Sequence, residues 1–302
     1  MDKDQRRRVA VGLASAHGGV VCRRDLRAAG VHRNDVRTEC GNGRWWSWGL
    51  HTVAVLEVPM EPVGHLWRAV WESGPGAVLD GPAALVAHGM THFTPSTVDV
   101  SLPRSSTVRD VEGVTTHQRR RLERWIRAGV PRLAPEWATI HAAQWASTDR
   151  QAALLVCLPV QQRLVQPQRL LDTWLGVRRS PRRALLGQII PDVCDGAHSL
   201  GELDFGGWCR RHGLPPPVRQ SLRSGPSGRV YLDAEWDGLV VEIDGGHHLL
   251  GLNPTDDALR ANEVALGSTR VLRIPLLGLR LEPDRFMHQV ARGLGLPVLT
   301  CA

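Results

Sequence analysis

The chain has 302 residues, 42% hydrophobic and 22% charged, the balance of a globular protein of two or three domains and not of a disordered one. A net charge of +7 points towards a polyanionic partner, although all but Lys3 of the 37 lysines and arginines are arginine, a bias that looks genomic. Apolar runs fall well short of the ~20 residues of a membrane helix. The charged start Met1–Arg8 has no apolar stretch behind it, so neither a membrane association nor a signal peptide is expected, and the cytoplasm is the expected compartment.

Residues 1–58 read as a winged helix-turn-helix. Val9, Leu13 and Ala16 share one face of a helix over about 3–16, and His17-Gly18-Gly19 ends it. A short helix over 23–29 is broken by Gly30, and a third helix follows over 33–40. Gly41-Asn42-Gly43 signals a turn, after which Arg44–Val53 reads as a strand or wing hairpin. In that order the third helix is the recognition helix. His32, Arg33, Asn34, Arg37 and Thr38 then face outward, side chains able to address phosphates and base edges. Trp45, Trp46 and Trp48 are expected to pack the wing and core, with base stacking as the alternative.

Residues 59–190 read as a mostly helical middle domain, with helical apolar spacing in Val63–Trp71, Ala83–Ala87, Ile140–Trp145, Ala152–Leu164 and Leu170–Leu175. Thr97–Leu102 alternates as a half-buried strand does. The run Arg119–Arg124 is either a solvated face or a phosphate contact. The cysteines at 22, 40, 157, 194, 209 and 301 form no C-x-x-C pair and read as small buried residues, Cys301 as a tail thiol, without a zinc site.

Several segments up to about residue 185 resemble the AbiEi-type antitoxin and transcriptional-regulator family. They are Gly18-Gly-Val-Val, Asp25-Leu-Arg-Ala-Ala-Gly, the wing Gly43-Arg-Trp…Gly49…His51-Thr-Val, Gly76-Ala-Val-Leu-Asp-Gly-Pro-Ala-Ala-Leu-Val-Ala-His, Val98-Asp-Val-Ser-Leu-Pro and Ala138-Thr-Ile-His-Ala-Ala. The resemblance implies DNA binding and regulation and carries no catalytic residue.

The third region, 191–302, opens with a helix expected over about 200–212 that stops at Gly213-Leu-Pro-Pro-Pro. Arg229–Trp236 and Leu239–Asp244 flank Asp237-Gly238, a tight-hairpin signal. A two-residue loop sets Trp236 against Leu239, Glu235 against Val240, Ala234 against Val241 and Asp233 against Glu242. Alternation then sends Val230, Leu232, Ala234, Trp236, Leu239, Val241 and Ile243 to one face, and Asp233, Glu242 and Asp244 to the other. Opposed Cβ atoms lie about 4.5–5.5 Å apart, and two ionised carboxylates at about 5 Å repel by roughly 3 kcal/mol at an effective dielectric of 20. A divalent cation such as Mg²⁺, which takes one or two carboxylates and keeps waters and phosphates, gives that arrangement a reason. The other reading is an acidic strand face screened by water or by neighbouring arginines. Gly245-Gly246-His247-His248 follows at once: the glycines admit a phosphate backbone and a histidine there suits acid–base work, unless the segment is only a turn. Asp257 and Arg260 stand at i, i+3 on a further helix, then come a buried strand over 269–274 and a closing helix over about 283–293.

Ser199-Leu-Gly-Glu202, Gly213-Leu-Pro, Asp233, Val241-Glu-Ile-Asp-Gly245 with His247 or His248, Asp257-x-x-Arg260 and Gly267-x-x-Arg-Val-Leu-Arg273 together resemble the very-short-patch-repair-like branch of the PD-(D/E)XK endonuclease superfamily. The resemblance covers about a third of the chain. It implies a mixed sheet flanked by helices, a Mg²⁺ (or Mn²⁺) site and hydrolysis of DNA phosphodiesters by an activated water. Asp233 and Glu242, with the main-chain carbonyl of Ile243, would hold the cation. Asp244 would complete the site, Glu202 would touch it from the first helix, and His247 or His248 would move the proton. Arg33, Asn34, Arg37, Thr38 and Arg260 would contact DNA. The E-x-K lysine of the superfamily is absent, Asp244 holding its position. Either aspartate and histidine take over its role in this branch or the domain is an inactive one.

The sequence thus predicts an α+β multidomain protein: a winged helix-turn-helix, a mostly helical middle domain, and a C-terminal α/β restriction-endonuclease-like domain. Its expected function is metal-dependent endonucleolytic cleavage of DNA, and its rival a non-enzymatic regulator that only binds DNA. The oligomeric state is open, a homodimer among the options.

Overall fold

Asp2 opens the first helix by accepting a hydrogen bond from Gln5 N at 2.7 Å, so α1 (Lys3–Ser15) starts among the charged residues. Its Ala10 and Ala14 are fully buried and pack with Val21, Leu26, Val31, Val36, Trp45, Val53 and Val55 in one core. The contributing elements are β1 (Val20–Cys22), α2 (Arg23–Ala28), α3 (Arg33–Gly41), β2 (Trp45–Ser47) and β3 (Thr52–Val55). The strands form an antiparallel sheet in the order β1-β3-β2. Glu39, on the inner side of α3, is 3% exposed and receives Arg44 Nε at 2.7 Å and Arg7 Nε at 3.2 Å, which together with the Arg6–Asp35 pair tie α1 and the start of the β2–β3 hairpin to α3.

The structure is a computed structural model that describes residues 2–195, 203–224, 230–244, 255, 258–259, 261–262 and 271–297. It is an α+β protein, and no described helix is long and apolar enough to cross a membrane. Contacts divide the chain into two compact units, Met1–His141 and Ala142–Ala302. The sequence-based borders after 58 and 190 both fall inside these units.

The stretch after α4 (Pro62–Ser73) corrects the helical expectation. Besides α5 (Gly81–Ala87), the segment up to 133 contains a five-stranded mixed sheet in the order β6-β5-β4-β8-β7. Its strands are β4 (Val78–Leu79), β5 (Val98–Pro103), β6 (Val114–Arg119), β7 (Trp125–Ile126) and β8 (Arg132–Leu133). Only β5 is visible in the sequence pattern, because three of the others have two residues each, too few to show an alternation. Arg119 closes β6, and Arg120, Arg121 and Arg124 are exposed beyond it, Arg124 pairing with Glu136 at 3.4 Å. Three of the family-like segments meet here. Asp80, fully buried at the start of α5, accepts from Gly81 N, from the Ser101 hydroxyl of β5 and from His141 Nδ1 at 2.9 Å on α6 (Pro135–Trp145). A buried carboxylate with that many donors is an architectural joint.

In the second unit, α7 (Asp149–Gln161), α8 (Pro167–Gly176) and α9 (Arg183–Cys194) precede the C-terminal sheet. Arg280 Nε meets Asp192 of α9 at 2.9 Å, both largely buried, which ties α9 to the helix after the last strand. The expected helix over 200–212 is shorter among the described residues. Leu203 and Asp204 are not helical, and Asp204 accepts from Gly207 N at 2.7 Å to begin α10 (Phe205–Arg211). The prolines beyond lie against the hairpin, Trp236 Nε1 donating to Pro215 O at 3.1 Å.

The sheet runs β12-β11-β10-β9, made of β9 (Arg219–Ser224), β10 (Val230–Trp236), β11 (Leu239–Asp244) and β12 (Val271–Pro275). The β9–β10 and β10–β11 pairings are antiparallel and β11–β12 is parallel, so the sheet is mixed as expected. Helices α11 (Leu276–Leu281) and α12 (Pro283–Gly293) close the domain. Phe286, Met287 and Val290 of α12 pack with Leu232, Ala234, Leu239, Val241, Ile243, Leu272 and Ile274 in one core, each full burial worth roughly 1.5–3 kcal/mol relative to exposure.

Candidate functional site

The hairpin turns at Asp237-Gly238 with Gly238 at φ +82°, a left-handed value that glycine takes without a Cβ penalty. Its register is the expected one: Trp236 opposes Leu239, Glu235 opposes Val240, Ala234 opposes Val241 and Asp233 opposes Glu242. Leu232, Ala234, Leu239, Val241 and Ile243 are all at most 3% exposed on the core face, which leaves Asp233 and Glu242 together on the other. Asp244 opposes Tyr231 on that second face and is half-buried. Ile243 puts its side chain into the core between Leu232 and Ile274, so it offers the site main-chain atoms alone.

The acids differ in exposure. Asp233 is 3% exposed, whereas Glu242 is half-buried. The neighbouring strands extend their row: Ser221 of β9 pairs with Asp233, and Arg273 of β12 pairs with Glu242. Arg273 Nε donates to Glu242 Oε2 at 3.2 Å. Its own backbone is clamped from the sheet edge by Asn262, which is 2% exposed: Asn262 Oδ1 accepts from Arg273 N and Nδ2 donates to Arg273 O, both at 2.9 Å. Nδ2 also reaches Gln289 Oε1 at 2.9 Å, and Gln289 Nε2 donates to Leu259 O at 3.0 Å. A side-chain amide thus completes the hydrogen bonds of an edge strand and holds the arginine beside the acids.

Sequence reasoning quotes Arg273 in a motif but gives it no part in the site, and it misses Asn262. Alternation already puts Arg273 on the face away from Leu272 and Ile274. Its apposition to Glu242 depends on a parallel register that no tight turn sets. Nothing in the sequence marks Asn262.

Glu202, His247, His248 and Arg260 lie outside the described residues, as do Asp257 and Cys301. Among the described residues no group of three or more His, Cys, Asp or Glu side chains is arranged to hold a metal ion. What the described residues offer a cation is the hard-oxygen pair Asp233 and Glu242, a set that fits Mg²⁺ or Mn²⁺ and not a soft metal. The described cysteines are thiols and not ready ligands: burial pushes Cys157 and Cys194 up to about 12 and Cys209 up to about 11.

In the first unit, Arg33, Asn34, Arg37 and Thr38 are all exposed along α3, while Val36 and Glu39 turn inward. Thr38 Oγ1 donates back to Asn34 O at 2.9 Å. The hairpin tryptophans divide: Trp45 is 2% exposed in the core, Trp46 is 53% exposed, and Trp48 is intermediate.

No family model matches the chain, and no curated protein does. Among solved structures it is similar to the RV2827C protein from Mycobacterium tuberculosis, at 20% identity and a TM-score of 0.36, over 72% of this chain and 88% of that one. A likeness of that degree carries no argument about what the chain does.

Proposed function

We propose that the chain is a cytoplasmic DNA-binding protein whose C-terminal α/β domain hydrolyses phosphodiester bonds with a divalent cation, while a winged helix-turn-helix in residues 1–58 positions the DNA. The observation that carries this reading is the register that sets Asp233 directly against Glu242 on one sheet face. Like charges so opposed destabilise a strand pair, and a bound cation turns that cost into a binding site. Asp233 and Glu242 would hold the cation with the Ile243 carbonyl. When bound, it supplies a water of lowered pKa and balances the charge developing at phosphorus. Arg273 is placed to draw a phosphate towards the acids, since a guanidinium pairs with phosphate oxygens as well as with carboxylate. The exposed face of α3, with Arg33, Asn34, Arg37 and Thr38, suits contacts to phosphates and base edges.

The second reading, a regulator with an inactive nuclease-like domain, is favoured by the Arg273–Glu242 pair, because an arginine beside the acids also screens them without a metal. Cleavage of plasmid, duplex, mismatched and branched DNA with Mg²⁺ or Mn²⁺ against EDTA separates the two. The nuclease reading expects metal-dependent cleavage that Glu242→Gln abolishes while DNA affinity stays near wild type. DNA binding without cleavage under any of these conditions selects the regulator.

A further inference from the structure

The β2–β3 hairpin displays apolar surface on a rigid support. Trp46 is 53% exposed and Leu50, at the turn, 73%. Trp46 stacks on Trp48, ring centroids 5.5 Å apart and planes 23° from parallel. Trp48 is held edge-on by His65 at 4.8 Å and covered by the Arg68 guanidinium at 4.9 Å, and Arg68 Nε donates to Trp48 O at 3.2 Å. Arg23 donates to the hydroxyl of Ser47, between the two tryptophans in sequence. Beneath the turn, the carboxylate of Glu72, 5% exposed, accepts from Leu50 N at 3.0 Å, His51 N at 2.8 Å and Thr52 Oγ1 at 2.7 Å. Glycine at position 49 permits that approach, since a Cβ there would lie 2.4 Å from the Glu72 carboxyl carbon. A braced turn needs no exposed indole for its own stability, and Trp45 already fills the core beneath it.

We propose that this hairpin is a nucleobase-stacking platform, in which Trp46, backed by Trp48, takes the face of an unpaired base while Arg23 and the α3 arginines hold the flanking phosphates. The mixed chemistry selects this occupant. Indole rings accept the π-face of any base, and guanidinium groups beside them match the phosphates that come with it. Preorganisation by Glu72 lowers the ordering cost of binding, so the rings meet the base already in place. The inference deepens, and rests on, the reading of the front module as DNA-binding.

The test is fluorescence anisotropy of the full-length protein in EDTA with a labelled duplex, the same duplex carrying a short unpaired bulge, and a single strand. Wild type is expected to favour the DNAs with unpaired bases. Trp46→Ala should lose about tenfold or more on those and little on the plain duplex, with Trp46→Phe retaining most of the affinity. Arg37→Ala should weaken all three alike and flatten the salt dependence. If Arg37→Ala weakens binding and Trp46→Ala changes nothing on unpaired DNA, the platform is overturned and the DNA-binding reading stands. If wild type binds none of the DNAs, both fall. Should Trp46→Ala dissolve a dimer in size-exclusion chromatography with DNA affinity unaltered, the surface belongs to a second copy of the chain and the proposal is overturned.

Discussion

The buried acids of the first unit and those of the hairpin in the second are treated in opposite ways, although the second unit also holds a conventionally paired acid, Asp192 with Arg280. In the first, Glu39 is met by Arg7 and Arg44, and Glu72 by two backbone amides and a threonine hydroxyl. In the hairpin of the second, one cross-strand neighbour of the nearly buried Asp233 is another acid, Glu242, and Glu242 is paired with an arginine side chain, Arg273, that is 77% exposed. An acid surrounded by donors stabilises the fold it is buried in. Acids facing each other across a strand pair weaken it, which is why the hairpin and not the Glu39 cluster is the candidate site.

The largest effect that tests this contrast is on Glu39. Glu39→Ala strands two partly buried arginines and should destabilise the protein by about 2–4 kcal/mol, read as a lower urea midpoint at constant m. A loss within about 0.5 kcal/mol breaks the contrast. The same residue gives it a pH signature. Burial works to raise the Glu39 carboxyl, but hydrogen bonds from Arg44 and Arg7 outweigh it and hold the group below its ordinary value. Stability from this source is full above the unfolded value of about 4.3 and is lost as the pH falls through the lower folded one. Thermal melts across that acid range should therefore fall less steeply for Glu39→Gln than for wild type.

A smaller effect of opposite sign is expected at the hairpin. Glu242→Gln keeps the shape and removes a charge facing Asp233, so the metal-free protein should be unchanged or slightly more stable, with roughly 3 kcal/mol as the unscreened upper limit. Mg²⁺ should raise the melting temperature of wild type if the pair binds it, and that rise should vanish in the variant. Equal shifts in both proteins would remove the pair from cation binding. The smallest effect belongs to Arg273→Ala: an exposed ion pair contributes about 0–1 kcal/mol, so stability should barely move, whereas DNA affinity should drop if this arginine draws in phosphate. A stability loss above about 2 kcal/mol would make the Arg273–Glu242 pair a structural one and sharpen the regulator reading.

Much of the candidate site is legible in the sequence. Asp237-Gly238 pins the loop length, and once the loop is pinned the period of two dictates which side chains oppose and which share a face, down to Asp233 against Glu242. The closing helix is equally plain, with Pro283 at its first position and apolar residues at helical spacing through to Gly293. The outward face of α3 follows from the same periodicity.

What stayed illegible depends on residues far apart in the chain. Two-residue strands such as β4, β7 and β8 exist because neighbours supply their hydrogen bonds, and no local pattern of that length distinguishes them from loop. Asp80, Ser101 and His141 stand in separate short motifs whose meeting point only packing reveals. The start of α10 moved to Phe205 because Asp204 caps it there, a competition between capping and propensity that periodicity does not score. By itself the sequence determined the hairpin, its register and the face that carries the acids, since turn chemistry and alternation act between neighbours. Only the tertiary structure decided that Arg273 lies beside Glu242 and that Asn262 holds it there. A parallel pairing and a side-chain clamp join segments whose separation along the chain leaves no local trace.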